Sequence, residues 1–241
     1  MSFSSTGIAY LALFVSLVTL TFRLFQYWKE KRDLTSKLFM LFGLSLCCFV
    51  IVRVVSGLFF IENEEILLYT IFAVAVFQVI AATIMGYIIS YLKFPNISPW
   101  IMTGATLIVG LFIIYLSPIV GYEVTVAEWG SIDWGFPSST FGFFYAILRS
   151  LLLVFAFLPV SFIFLQQARS TDSKILKRRS IGLAIVLLGA SLIGILDYIL
   201  VGILGLEIIY RDISTFALGI ILFLVVIFTQ SSPQKYQKKI Q

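Results

Sequence analysis

The chain has 241 residues, of which 60% are hydrophobic and 12% charged, with a mean hydropathy of +1.05. A water-soluble globule of that composition would lack the polar residues to cover its surface, so the expected solvent is lipid. The net charge of +5 comes with no histidine at all, which removes bis-histidine haems, zinc proteases with histidine ligands and Ser/His catalytic pairs together.

A helix needs about twenty apolar residues to cross the hydrocarbon core. Seven such runs follow one another, at about 6–28, 37–60, 66–92, 99–118, 139–166, 179–203 and 213–230. The first is too long for a signal-peptide core and has no basic segment before it, so it is expected to stay as the first helix. Cys47 and Cys48 are adjacent within the second run and are read as core residues rather than a disulfide framework. Lys29, Lys31, Arg32 and Lys37 fill the first gap and Lys93 the third. Arg169, Lys174, Lys177, Arg178 and Arg179 cluster around the fifth, and Lys235, Lys238 and Lys239 lie in the tail. The alternate gaps hold Glu62, Glu64 and Glu65, then Glu123, Glu128 and Asp133, then Glu207, Arg211 and Asp212. Basic residues are retained on the cytoplasmic side, which places the N-terminus outside and the C-terminus in the cytoplasm. Loop cations of this kind serve insertion and anionic headgroups, and no nucleic-acid partner is expected.

Short gaps favour antiparallel neighbours in one domain. The longer outer gap holds Tyr122-Glu123-Val124-Thr125-Val126, Trp129-Gly130 and Trp134-Gly135. Two readings stay open there, a small hairpin over the bundle mouth and an interfacial aromatic belt. Pro159 is expected to bend the fifth helix. The lysines sit in gaps or at span ends, which argues against a retinal Schiff base, and no glycine loop is built to cradle phosphate. The expected fold class is an all-α membrane protein, a seven-transmembrane-helix bundle in a cell membrane, with no cofactor and no enzymatic activity.

Three charges fall well inside the runs: Arg53 in the second, Arg149 in the fifth and Asp197 in the sixth. Helical rise puts all of them roughly 10–15 Å below the outer surface. A charge at that depth must face the bundle interior and meet a partner or water. Asp197 can neutralise one arginine, which leaves a salt-bridged staple between helices or a forked cationic site for a carboxylate or phosphate, with proton or ion translocation behind them because a translocator would need more intramembrane acids. Gln78 and Tyr198 are accessory polar candidates, with Ser56 and Thr83 nearby in sequence terms. Arg23, near the inner end of the first run, is expected only to snorkel to headgroups.

The aromatic end of the first run, Tyr27-Trp28-Lys29-Glu30-Lys31-Arg32, the aromatic outer loop before span five, and Lys177-Arg178-Arg179 opening Ile181-Gly182-Leu183-Ala184-Ile185-Val186-Leu187-Leu188-Gly189 together resemble the seven-helix sensor region at the N-terminus of certain prokaryotic histidine kinases. The resemblance covers nearly the whole chain and implies a signal-receiving membrane module that feeds a cytoplasmic output domain. Because the chain stops soon after the seventh run, a separate partner is expected to supply that output, contacting residues 166–179. The leading expectation is therefore a sensor for a small anionic or amphiphilic ligand in the outer half of the bundle. The alternatives are a small-solute carrier, which lacks an evident broken-helix signature, and a scaffold subunit joined through small residues such as Ala190 and Gly194.

Overall fold

A computed structural model describes residues 4–135, 139–195, 201 and 204–230. Among them are seven α-helices, α1 (Ser5–Lys31), α2 (Leu34–Phe59), α3 (Glu64–Lys93), α4 (Pro99–Leu116), α5 (Thr140–Ser170), α6 (Lys174–Ile195) and α7 (Ile208–Gln230). One hairpin, β1 (Glu123–Val126) and β2 (Ile132–Gly135), separates α4 from α5.

Local chemistry sets the helix starts. The side chains of Ser4, Asp33, Asn63 and Ser139 accept the backbone N–H of Gly7, Ser36, Ile66 and Gly142, each satisfying a donor that the first helical turn leaves open. Pro99 begins α4 at a position where a missing N–H costs nothing. The backbone N–H and hydroxyl of Ser36 hold the Asp33 carboxyl below its ordinary range. That support for α2 is complete above the ordinary carboxylate pKa and is lost as acidification passes the lowered one.

Six helices are long and apolar enough to cross a membrane: α1 to α5 and the Ile208–Phe228 part of α7. The described part of α6 opens on Lys174, Lys177, Arg178 and Arg179 before its apolar stretch begins. Outward positions carry Phe22, Phe59, Ile108, Phe155, Leu192 and Phe228, all exposed. An all-α bundle with so continuous an apolar exterior fits contact with lipid rather than water. α5 runs through Pro159 as one helix.

Packing follows a ring. α1 lies between α2 and α7, α3 between α2 and α5, and α6 between α5 and α7. α4 stands outside this ring, against α3 and α5. Phe42, Met85, Phe157 and Val160 join α2, α3 and α5. Leu17, Val50, Val186 and Leu222 join α1, α2, α6 and α7. Glycine permits the closest approaches: a Cβ on Gly57 would stand 2.8 Å from Gly7 Cα, and one on Gly219 would stand 2.8 Å from the Leu13 backbone nitrogen. Helix α1 is thus held at backbone distance on both sides, as small residues allow in membrane bundles.

The connection between α4 and α5 forms a hairpin. Val124 pairs with Trp134 and Val126 with Ile132, and the chain reverses through a single 3-10 turn in which Trp129 and Gly130 both have φ of 65°. Alternation on β2 turns Ile132 and Trp134 inward, where they pack with Ile61, Leu67 and Ile71. Trp129 points away, 71% exposed, so the two loop tryptophans have opposite surroundings.

The Gly57 contact predicts that Gly57→Ala forces α1 and α2 apart and lowers stability by about 1–3 kcal/mol. Gly104→Ala, where a Cβ meets nothing within 4 Å, is expected to change nothing. Denaturation of both variants in detergent, followed by loss of helical circular dichroism, checks the pair.

Candidate functional site

At the hairpin end, the first turn of α7 presents adjacent Arg211 and Asp212, 3% and 2% exposed. Arg211 donates to Asp212 Oδ1 through Nε at 3.1 Å and Nη2 at 2.8 Å, and Nη2 also reaches the Ile132 carbonyl at 2.8 Å and Thr6 Oγ1 at 3.3 Å. The other carboxylate oxygen, Oδ2, accepts from Ser5 Oγ at 2.8 Å and Thr6 Oγ1 at 2.7 Å. Thr6 Oγ1 in turn accepts the Ile132 N–H at 2.9 Å, and Ser4 Oγ donates to the Gly130 carbonyl at 3.2 Å. One network therefore ties α7, the start of α1 and the hairpin backbone together. Burying an ion pair is worthwhile only when further hydrogen bonds satisfy both ions, and here they do.

The hairpin also meets the interior arginines. The Arg53 guanidinium lies 3.6 Å from the Trp134 ring centroid, and that of Arg211 lies 5.4 Å from the same ring. A desolvated indole face is the best aromatic partner for a cation. Arg149, 1% exposed, donates from Nη2 to Gln78 Oε1 at 2.6 Å and from Nη1 to Tyr122 Oη at 3.4 Å. Its guanidinium also lies 5.9 Å from the Tyr145 ring.

Of the residues singled out in the sequence, Arg53, Arg149 and Gln78 are buried in the interior, and the first two each meet an aromatic side chain from the hairpin region. Asp197 and Tyr198 lie outside the described residues. Sequence reasoning assigned Arg211 and Asp212 to an outer loop, because hydropathy alone starts the last helix near residue 213. The structure corrects this by starting α7 at Ile208. Helical phase carried the missed signal, since positions 211, 215, 218 and 222 share one face and are all buried.

Inside the ring lies a cavity of about 900 Å³. α1, α2, α3, α5, α6 and α7 all contribute to its wall and α4 contributes nothing. Tyr10, Gln78 and Thr215 lie toward its deep end, and Leu17, Met85 and Phe157 are among the apolar side chains along it. At the end away from the hairpin its lining includes Arg23, Lys93 and Arg179, with Asp33. There Lys93 Nζ donates to Gln166 Oε1, and Ser180 Oγ donates to Gln167 Oε1 at 3.1 Å. The molecule therefore has one clamped end and one basic, open end. Among the described residues no group of His, Cys, Asp or Glu is placed to hold a metal ion.

No protein-family model matches this chain, and no curated protein matches it in sequence.

Removing the Asp212 carboxylate would take from the buried Arg211 the anionic oxygen that meets both its Nε and its Nη2. Asp212→Asn is expected to cost about 3 kcal/mol, with Arg211→Met/Asp212→Leu recovering most of the loss. Denaturation in detergent of the two single variants and the double variant gives the coupling energy. Equal losses in the single and double variants would show that the pair is not the clamp.

Proposed function

We propose that this protein is a multi-pass membrane sensor that receives an amphiphilic ligand in its interior cavity and reports it through the helix ends at the basic face. In this reading the bundle crosses the membrane seven times, with the N-terminus and hairpin outside and the basic end in the cytoplasm, as the distribution of Lys and Arg favours. The observation that carries it is the cavity itself, a ring of six helices around about 900 Å³ of mostly apolar space. A purely structural bundle gains by filling such space with side chains, because unfilled volume forfeits dispersion contacts.

In this reading the ligand enters from the basic end, and the cavity reaches as far as Tyr10 and Thr215, about the depth of Arg53 and Arg149. Those arginines support the closed end. The open end is lined by residues at the close of α5 and the start of α6, among them Gln166, Gln167, Arg179 and Ser180. Thr171–Ser173 joins the two helices. A ligand that pushes on either helix would move residues 166–179, the surface proposed for a cytoplasmic signalling partner. The resemblance to the sensor region of histidine kinases supports the same direction of signalling.

A carrier must open alternately to both sides. The buried Arg211 and Asp212 network and the unbroken course of α1, α2, α3, α5 and α7 favour a bundle that stays shut at the hairpin end.

Sensing requires that a ligand bind one packing of the helices better than another. With Cys47 and Cys48 replaced by alanine and spin labels at Ser173 and Lys31, a bound amphiphile is expected to shift the interlabel distance distribution. A bound ligand that leaves the distribution unchanged would sink the switch, and flux of that ligand across sealed liposomes would make the protein a carrier instead.

A further inference from the structure

Resting on that reading, we infer that the cavity is a site for an acyl amphiphile with an anionic head, the carboxylate or phosphate held by Arg23, Lys93 and Arg179 and the chain running inward toward Thr215.

Length comes first. From Tyr10 to Arg23 along α1, and from Gln78 to Lys93 along α3, the helical rise gives about 20 Å. Two separate walls thus agree on the depth of the cavity. One leaflet is half of a hydrocarbon core about 30 Å thick, so this depth accommodates one acyl chain with its head at the interface. The volume of about 900 Å³ lies within the range of ligand sites, which runs from about 300 to 1,000 Å³.

The wall chemistry selects the chain. Filled with water at about 30 Å³ per molecule, the cavity would hold roughly thirty waters, each wanting two to four polar partners. Leucine, phenylalanine, methionine and alanine side chains supply none. Hydrocarbon satisfies these walls and water does not.

Charge selects the head. Among the described lining residues the open end carries the cations Arg23, Lys93 and Arg179 and the acid Asp33. The Asp33 carboxylate is already engaged, accepting the backbone N–H of Ser36 at 2.8 Å and its hydroxyl at 2.7 Å in capping α2. Arginine presents a planar fork matched to carboxylate or phosphate, and lysine adds a point charge.

Thr215 supplies an independent observation at the other end. Hydroxyls inside apolar helices normally donate to the carbonyl four residues back. Ser16, Ser45, Thr103, Thr106, Ser191 and Ser214 all do so. Among the described residues Thr215 Oγ1 has no hydrogen-bond partner, although the residue is fully buried and lines the cavity. A hydroxyl or carbonyl near the far end of the ligand chain would meet it.

The test is competition against radiolabelled palmitate on the purified full chain, using hexadecanol, hexadecyl phosphate, omega-hydroxypalmitate and phosphatidylglycerol. Palmitate and hexadecyl phosphate are expected to bind at least about tenfold more tightly than hexadecanol, since charge-assisted bonds are the stronger kind. Arg23→Gln/Arg179→Gln, and separately Lys93→Gln, should shrink that preference while retaining the parent's melting midpoint. Omega-hydroxypalmitate should bind about fivefold more tightly than palmitate in the parent and equally in Thr215→Val. Competition by phosphatidylglycerol as strong as that by palmitate identifies a membrane lipid as the source, and competition by single-chain acids alone identifies free fatty acid. Hexadecanol binding as well as palmitate, or a preference untouched in the rim variants, overturns the anionic head. The absence of binding by every probe overturns the site. If palmitate binds while the distance between labels at Ser173 and Lys31 stays fixed, the site stands and the sensor reading falls. If the distance moves on binding but the rim variants keep full affinity, the sensor reading stands and the head assignment falls.

Discussion

A charge that water cannot reach has to be answered by the protein around it, and in this chain that constraint organises the hairpin end. Arg211 takes its answer from its neighbour Asp212 and, far off in sequence, from Thr6 of α1 and the carbonyl of Ile132 in β2. The hairpin, with only four residues in each strand, would be marginal alone. It gains order because its backbone and its Trp134 ring complete the surroundings of Arg53 and Arg211. Helix positions at this end are consequently fixed by directional bonds, in contrast to the mostly apolar contacts farther along.

The contrast between the two ends gives the bundle its polarity. Close glycine contacts set α1 against α2 and α7, and the ring then widens around the cavity that Leu17, Met85 and Phe157 help to line. A sensing device of the proposed kind would need one end held by directional bonds and another free of such a network, so that binding could bias α5 and α6 without unfolding the whole. Helix α4 lends nothing to the cavity wall.

The sequence made most of this framework readable, and the exceptions have identifiable causes. Apolar runs located α1 to α5 to within a few residues, since span length is dictated by hydrocarbon thickness. Alternation around Val124 and the two Trp-Gly pairs left a hairpin and an aromatic belt both open, and a hairpin is what formed. Hydropathy could not tell that Arg211 and Asp212 sit inside α7, because it averages over the face on which they are satisfied. The burial of Arg53 and Arg149 was legible from the cost of charge in lipid. Their aromatic partners Trp134 and Tyr122 were not, since a ring from a distant loop leaves no mark in a count of charges. The cavity was invisible altogether, because the same leucines and phenylalanines would also build a solid core, and only their three-dimensional placement separates the two.

Ring closure by α1 and α7 also has a meaning for how the chain is made. Ser16 donates to the carbonyl of Gly219 across a separation of 203 residues, and Thr6 binds Asp212 across 206. Helix α1 is synthesised long before α7 and must therefore wait in the bilayer for it. During that interval the hydroxyls of Ser5 and Thr6 lack their carboxylate and the hairpin has nothing to grip. Nascent chains halted before α7 would present an open seam along α1, a surface on which membrane chaperones and proteases can distinguish unfinished copies from finished ones.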